Sequence, residues 1–214
     1  MSIASVLAAT WMEPEAAAIA RGLRRRDARL LDSLIEKYQH RLLRYLVYLT
    51  GNREFAEDLF QETWVRVLER GAQYNGKSRF ETWLFAIARH LVIDGSRRKS
   101  AQSLDALTDS HSHSDDRAPL QFSSADPSPF DFVQQRQQGM HMDDALQALE
   151  VAQREVIVLR FHEDMALDEI AAITGAPLST VKSRLYRGLQ ALRPVVESQK
   201  ALAVTAAAAA GGRT

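Results

Sequence analysis

The sequence predicts an all-α protein made of two small helical domains joined by a flexible linker. Three observations predict this. Apolar residues recur at helical spacing from Leu30 to Leu91 and again from about Met142 to Val196, and strand-like alternation is almost absent. Between these stretches, Ser100 to about Gln137 is rich in Ser, Asp, Pro and Gln and holds no sustained period. Clear turn signals, "TGN" at Thr50–Asn52 and "TGAPLS" at Thr174–Ser179, break the helical stretches into short pieces. The expected organisation is an N-terminal extension (1–26), a first helical domain (27–99), an acidic linker (100–137), a second helical domain (138–196) and an Ala-rich disordered tail (197–214).

In the first domain, Leu30, Leu31, Leu34, Ile35, Tyr38, Leu42, Tyr45, Leu46 and Leu49 trace one helical stripe that ends at "TGN". A second helix follows from about Arg53, with Phe55, Leu59, Thr63 or Trp64, Val67 and Leu68 inward. Its other side is acidic, with Glu54, Glu57, Asp58, Gln61, Glu62 and Glu69 mostly outward. After the loop "GAQYNGKSR", Ser78 and Glu81 are spaced as a capping box opening a third helix through Trp83, Leu84, Ile87, Ala88 and Leu91. That helix ends in "DGSRRK", a cationic cluster suited to phosphates.

In the second domain, Gly175 can end one helix in the left-handed conformation, and Pro177 cannot continue it. Ser179 or Thr180 can N-cap the next helix, which buries Val181, Leu185, Leu189 and Leu192 and runs to about Leu192. Two helices on a tight Gly-containing turn form a helix-turn-helix, whose second helix presents its N-terminal residues to the DNA major groove. Ser179, Lys182, Ser183, Tyr186 and Arg187 are the expected exposed positions; an ordinary hairpin with a solvated basic face would look similar.

Lys plus Arg number 27, as do Asp plus Glu, so bulk charge favours neither DNA nor membranes. The distribution is uneven. Residues 1–99 hold 17 cations against 12 acids, and residues 100–137 hold two against six. A basic front, an acidic middle and a basic late helix suit contact with nucleic acid at two places. There is no cysteine, which excludes disulfides and thiolate metal sites and agrees with a cytoplasmic location. The first dozen residues lack the positive segment of a signal peptide, and no apolar run approaches membrane-spanning length. "HSHSDD" (His111–Asp116) and "FHED" (Phe161–Asp164) hold metal-ligand residue types, but the former has no scaffold and the latter no second cluster. Neither a phosphate loop nor a nucleophile–base pattern is present, so no cofactor and no catalysis are expected.

"AEDLFQETWVRVLER" with "FETWLFAIARHLVIDGSRRK" resembles region 2 of bacterial sigma factors, and "QREVIVLRFHEDMALDEIAAITGAPLSTVKSRLYRGLQALR" resembles region 4. With nothing recognisable between or after them, the arrangement is similar to the extracytoplasmic-function (ECF) group of the sigma-70 family. The resemblance implies a non-catalytic subunit that joins core RNA polymerase, recognises promoter −10 and −35 elements and helps to melt DNA. It implies docking of Asp58, Gln61 and Glu62 on the clamp helices of the largest polymerase subunit, and of the second module on the flap of the second-largest. It implies −10 contacts from Tyr74, Asn75, Lys77, Ser78, His90, Asp94, Arg97 and Arg98, and −35 contacts from Ser179, Thr180, Lys182, Ser183, Arg184, Tyr186 and Arg187, with Arg184 on phosphate. Tyr74 is open to two readings, a ring stacked on a base or a half-buried packing residue. Similar proteins often carry Asn where this chain has His90, and a capping Ser or Thr where it has Ala166. Proteins of this group are commonly held inactive by an anti-sigma factor. A rival reading is a stand-alone helix-turn-helix regulator, which leaves the acidic helix and the loop–helix pair without a role.

Overall fold

The computed structural model describes residues 15–106 and 142–211, all of whose regular structure is helical. The first 14 residues, the linker from residue 107 onward and the last three residues lie outside this description. The first module contains α1 (residues 15–24), α2 (Ala28–Thr50), α3 (Arg53–Arg70), a single 3₁₀ turn (Gly71–Gln73) and α4 (Phe80–Ala106). The second contains α5 (residues 142–148), α6 (Val151–Ile157), which widens into a π turn at Val158–His162, then α7 (Leu167–Thr174) and α8 (Leu178–Gly211).

Local chemistry sets the boundaries. Asp27 caps α2 by accepting from the amides of Arg29 at 3.0 Å and Leu30 at 3.3 Å. Gly51, left-handed at φ 65°, closes it, and Asn52 at once caps α3 by accepting from Phe55 N–H at 2.8 Å. A stop and a start packed into two residues force α2 and α3 to fold back on each other. The expected stripe is the first module's core: Leu34, Tyr38, Leu42, Tyr45 and Leu46 meet Ala56, Leu59, Trp64 and Val67 of α3 and Leu84, Phe85 and Ala88 of α4. Each of the large aliphatic and Phe side chains among them contributes about 1.5–3 kcal/mol by leaving water.

Several boundaries differ from the sequence reading. Ser78 makes no cap; α4 starts at Phe80, and the Glu81 carboxylate is buried on the Arg41 guanidinium at 3.2 Å and on Arg79. An ion pair with α2 therefore replaces the capping box. α4 runs to Ala106, seven residues into the expected linker. α8 begins at Leu178, placing Ser179 and Thr180 in its first turn, and Val181 N–H donates to the Pro177 carbonyl. It continues to Gly211 through the tail expected to be disordered, in keeping with alanine's high helix propensity, and Pro194 lies inside it. Leu189 is 42% exposed, and Gly188 takes its place against α6, where a Cβ would come within 2.5 Å of the Ile157 side chain. On α3, Leu68 is 49% exposed rather than inward.

The two modules pack together. Tyr45 of α2 donates to the Glu155 carboxylate of α6 at 3.0 Å, and Arg89 of α4 pairs with the same carboxylate at 2.8 Å. Arg41 and Arg44 of α2 hold the buried Glu163 at 2.7 and 3.0 Å. Arg154 donates to the Tyr48 carbonyl at 2.8 Å, and Tyr48 donates to Asp143 at 2.6 Å. Arg79 and Thr82 reach Glu169 of α7 at 3.5 and 3.2 Å. The seam is thus polar and charge-paired around an apolar centre.

Candidate nucleic-acid and protein interfaces

The helix-turn-helix has the expected geometry. Gly175 is left-handed at φ 64°, and Ile170, Ile173 and Val181 lock the two helices together. At the start of α7, Ala166 has no side-chain acceptor, but its amide is satisfied by the Glu169 carboxylate at 2.9 Å. That is half of a capping box, and it explains why the missing Ser or Thr leaves the helix intact. Along α8, Ser179, Lys182, Tyr186 and Arg187 are exposed, Tyr186 at 69%, while Thr180, Ser183 and Arg184 are half-buried. Arg184 is close enough to Glu155 for its charge to favour the ionised carboxylate.

The loop between α3 and α4 is braced from within. Gly76, at φ 75°, lets the chain turn beneath α1, where a Cβ would lie 3.2 Å from the Ala16 carbonyl. Asn75 accepts from Lys77 N–H at 2.9 Å, and the Asn75, Lys77 and Ser78 side chains remain exposed. Tyr74 takes the packing alternative. It is 1% exposed, its ring lies against Phe80 and Trp83, and its hydroxyl donates to the Ser78 carbonyl at 2.6 Å. Burial pushes its phenol up to about 12. In this arrangement its ring offers no free face to a base. On α4, His90, Asp94, Arg97 and Arg98 are all exposed, and His90 Nδ1–H donates to the Ala86 carbonyl at 2.6 Å.

On α3, Asp58 and Gln61 are exposed, and Glu62 is half-buried in an ion pair with Arg66 at 2.9 Å. Val65, 45% exposed, and Leu68 extend the same helical stripe by one and two turns. The sequence reading missed this apolar extension by placing Leu68 in the core and leaving Val65 unassigned. An acidic stripe that becomes apolar suits a protein partner, which can bury the apolar end and pair with the acids.

The residues that pair the modules were not legible as a site. Burial raises the Glu155 carboxyl above its ordinary value, with Arg89 and the Tyr45 hydrogen bond opposing the shift. Burial likewise raises the Tyr45 phenol, and it lowers Arg154 and His162, the latter helped by Arg44. Among the described residues no group of three His, Asp or Glu side chains is arranged to hold a metal ion, and no helix is long and apolar enough to cross a membrane.

Comparison with known proteins agrees with this architecture. Residues 34–102 match the family model described as Sigma-70 region 2, and residues 140–192 match Sigma-70, region 4. The ECF RNA polymerase sigma factor SigX of Bacillus subtilis strain 168 is 30% identical over 164 residues, covering 77% of this chain and 82% of the relative. SigE of Mycolicibacterium smegmatis, also an ECF RNA polymerase sigma factor, is 35% identical over 162 residues, 76% of this chain and 60% of that longer relative. The sigma factor RpoE of Bartonella quintana, crystallised with the anti-sigma factor NepR, superposes with a TM-score of 0.62 over 78% of this chain and 96% of that one, at 23% identity. This chain belongs to the ECF group of the sigma-70 family of RNA polymerase sigma factors.

Proposed function

We propose that this chain joins core RNA polymerase and directs initiation at promoters with −10 and −35 elements, taking no catalytic part itself. The observation that carries the reading is the coexistence, on one chain, of an exposed basic recognition helix and an exposed acidic–apolar stripe that DNA would repel. Asp58, Gln61 and Glu62, extended by Val65 and Leu68, form the surface for the polymerase clamp helices; the second module meets the flap. Asn75, Lys77 and Ser78 engage an unstacked base of the −10 element, and His90, Asp94, Arg97 and Arg98 follow the adjoining strand. Tyr74 acts through the loop, holding the Ser78 carbonyl and hence the loop's shape. Lys182, Ser183, Tyr186 and Arg187, with Ser179 and Thr180 at the helix start, read the −35 element, and Arg184 neutralises phosphate.

Promoter engagement requires the modules to part. Elements named for positions −10 and −35 are about 25 base pairs apart, roughly 85 Å at about 3.4 Å per pair. In the packed arrangement, Arg79 beside the −10 loop touches Glu169 of the helix-turn-helix at 3.5 Å. The ion pairs of the seam must therefore exchange for water or polymerase contacts on loading. An anti-sigma factor that stabilises the packed arrangement would keep the chain inactive. The test is co-purification of the wild-type chain, and of Asp58→Lys/Glu62→Lys, with core polymerase. The wild type is expected to be retained and the variant lost; a wild type that binds DNA but never core polymerase would favour the stand-alone regulator.

A further inference from the structure

The first module holds a second concentration of positive charge that the proposed function does not use. Arg21 and Arg24 lie in the last turn of α1, Arg25 and Arg26 follow it, Arg29 lies in the first turn of α2, and all five are exposed. The fold brings Arg70 to the same corner. It is exposed at the end of α3 and precedes Gly71, where a Cβ would lie 3.2 Å from the Leu23 side chain of α1. Of the acids nearby, Asp27 caps α2, Glu15 binds Lys37 at 2.9 Å and Glu69 binds Arg66 at 3.0 Å, while Asp32, one turn along α2 from Arg29, is exposed and forms no ion pair with it. Among the described residues, none of the six arginines has a carboxylate partner.

The backbone supplies an independent observation. Arg26 N–H donates to the Leu23 carbonyl and Asp27 N–H to the Gly22 carbonyl, which is the Schellman pattern at a helix end. This places Arg26 at the left-handed position that glycine usually fills, and its φ is 53°. The side chain there imposes backbone strain that glycine would avoid, and it adds a cation to a cluster that already repels itself. Among the described residues no carboxylate pairs with the Arg26 guanidinium to offset the second penalty. A bound polyanion would offset the second directly.

The position of the corner selects the polyanion. α1 lies along the candidate −10 loop, with Ala16 against Gly76 at one end and Leu23 against Gly71 at the other. Seven residues of helix at about 1.5 Å each separate these contacts by about 10 Å, or about three base steps of 3.4 Å. The planar guanidinium fork suits phosphate oxygens. The exposed side of α1 presents no large apolar side chain of the kind that would enter a bilayer. We infer that Arg24, Arg25 and Arg26, with Arg70, form a phosphate-binding site that grips the nucleic-acid backbone about three nucleotides from the base engaged by Asn75–Ser78. The inference rests on the proposed −10 role of that loop.

The test reconstitutes holoenzyme with core polymerase and measures equilibrium binding to a duplex–single-strand fork DNA at 50 and 200 mM salt; phosphate contacts do not depend on sequence, so any fork serves. Wild type is compared with R24Q/R25Q/R26G and with R24K/R25K/R26K. The Gln/Gly variant should load on core polymerase normally, with a Tm equal to or above that of wild type because Arg26→Gly relieves the left-handed strain. Loss of three phosphate contacts lowers the salt slope by about 2.1–2.7, so the affinity ratio between the two salts should shrink about 18- to 42-fold. The Lys variant should retain most of the wild-type slope. An unchanged slope in a Gln/Gly variant that loads normally would overturn the inference and leave the proposed function standing. Failure of the Gln/Gly variant to load, with wild type loading, would assign the corner to an acidic surface of polymerase and equally overturn it. A wild-type chain that never loads would remove the proposed function and this inference together.

Discussion

The Tyr45 hydroxyl donates to the Glu155 carboxylate at 3.0 Å, joining α2 to α6 across the seam between two modules whose connecting segment lies outside the described residues. Both groups are buried, and Arg89 completes the carboxylate's shell at 2.8 Å. Tyr45→Phe leaves the shape intact and removes one donor from a buried charge. It should lower stability by about 1.5–3 kcal/mol, as measured by urea unfolding.

The same carboxylate makes the packed state pH-dependent. Burial raises its folded-state pKa above the ordinary 4.5. The packed state therefore binds the proton more tightly than the unfolded chain. Its contribution is fully present below the ordinary value and is lost as pH rises through the raised one. Glu155→Gln keeps an acceptor for Tyr45 and Arg89 without a charge that can titrate. The Tm of E155Q minus that of wild type should grow as pH rises through that window and then level off. A difference independent of pH would show that Glu155 does not report on the seam.

Glu163 is the other buried anchor, held by Arg41 and Arg44. Breaking a buried pair typically costs about 3–5 kcal/mol, less here because both arginines are part-exposed. Glu163→Arg should separate the modules, raising the radius of gyration in small-angle scattering while helicity by circular dichroism stays the same. An unchanged radius would mean that the apolar contacts alone hold the packed arrangement.

The loop makes a prediction that separates shape from contact. Tyr74→Phe loses the bond to the Ser78 carbonyl and should cost about 1 kcal/mol of stability along with reduced open-complex formation. Lys77→Ala should reduce open complexes with no change in Tm, since Lys77 is exposed. Permanganate reactivity of melted thymines reads both. Full open-complex formation by Lys77→Ala would remove that residue from the −10 contact set.

What was legible follows from how many faces of a helix carry a pattern. The α2 stripe from Leu34 to Leu49 and the Gly175 turn could be read because one periodic face and one left-handed glycine identify themselves locally. Tyr48, Glu155 and Glu163 could not, because their burial comes from a module about a hundred residues away. Glu81 misled for a related reason: the spacing of a capping box is also compatible with an ion pair to another helix. On α8, Leu189 fits the helical period as well as Gly188 does, and only the close approach of Ile157 selects the glycine. Tyr74 is aromatic in a polar loop, which fits stacking and packing equally until Phe80 and Trp83 are in place.

The recognition helix gives a prediction in which the two kinds of contact fail differently. Lys182→Ala and Arg187→Ala should each cost about 1–3 kcal/mol on the preferred −35 sequence and reorder the ranking of −35 variants. Arg184→Ala should weaken all variants about equally and lower the salt slope by roughly one unit. Transcription from a panel of −35 variants at two salt concentrations distinguishes them. An unchanged ranking in K182A and R187A would contradict base reading at those positions.

The most direct measurement is run-off transcription by core polymerase on a genomic promoter library, with and without the wild-type chain. The account predicts discrete start sites that appear only when the chain is present, sharing −10 and −35 elements upstream, and that disappear with Asp58→Lys/Glu62→Lys. Initiation that is equally scattered with and without the chain would contradict it.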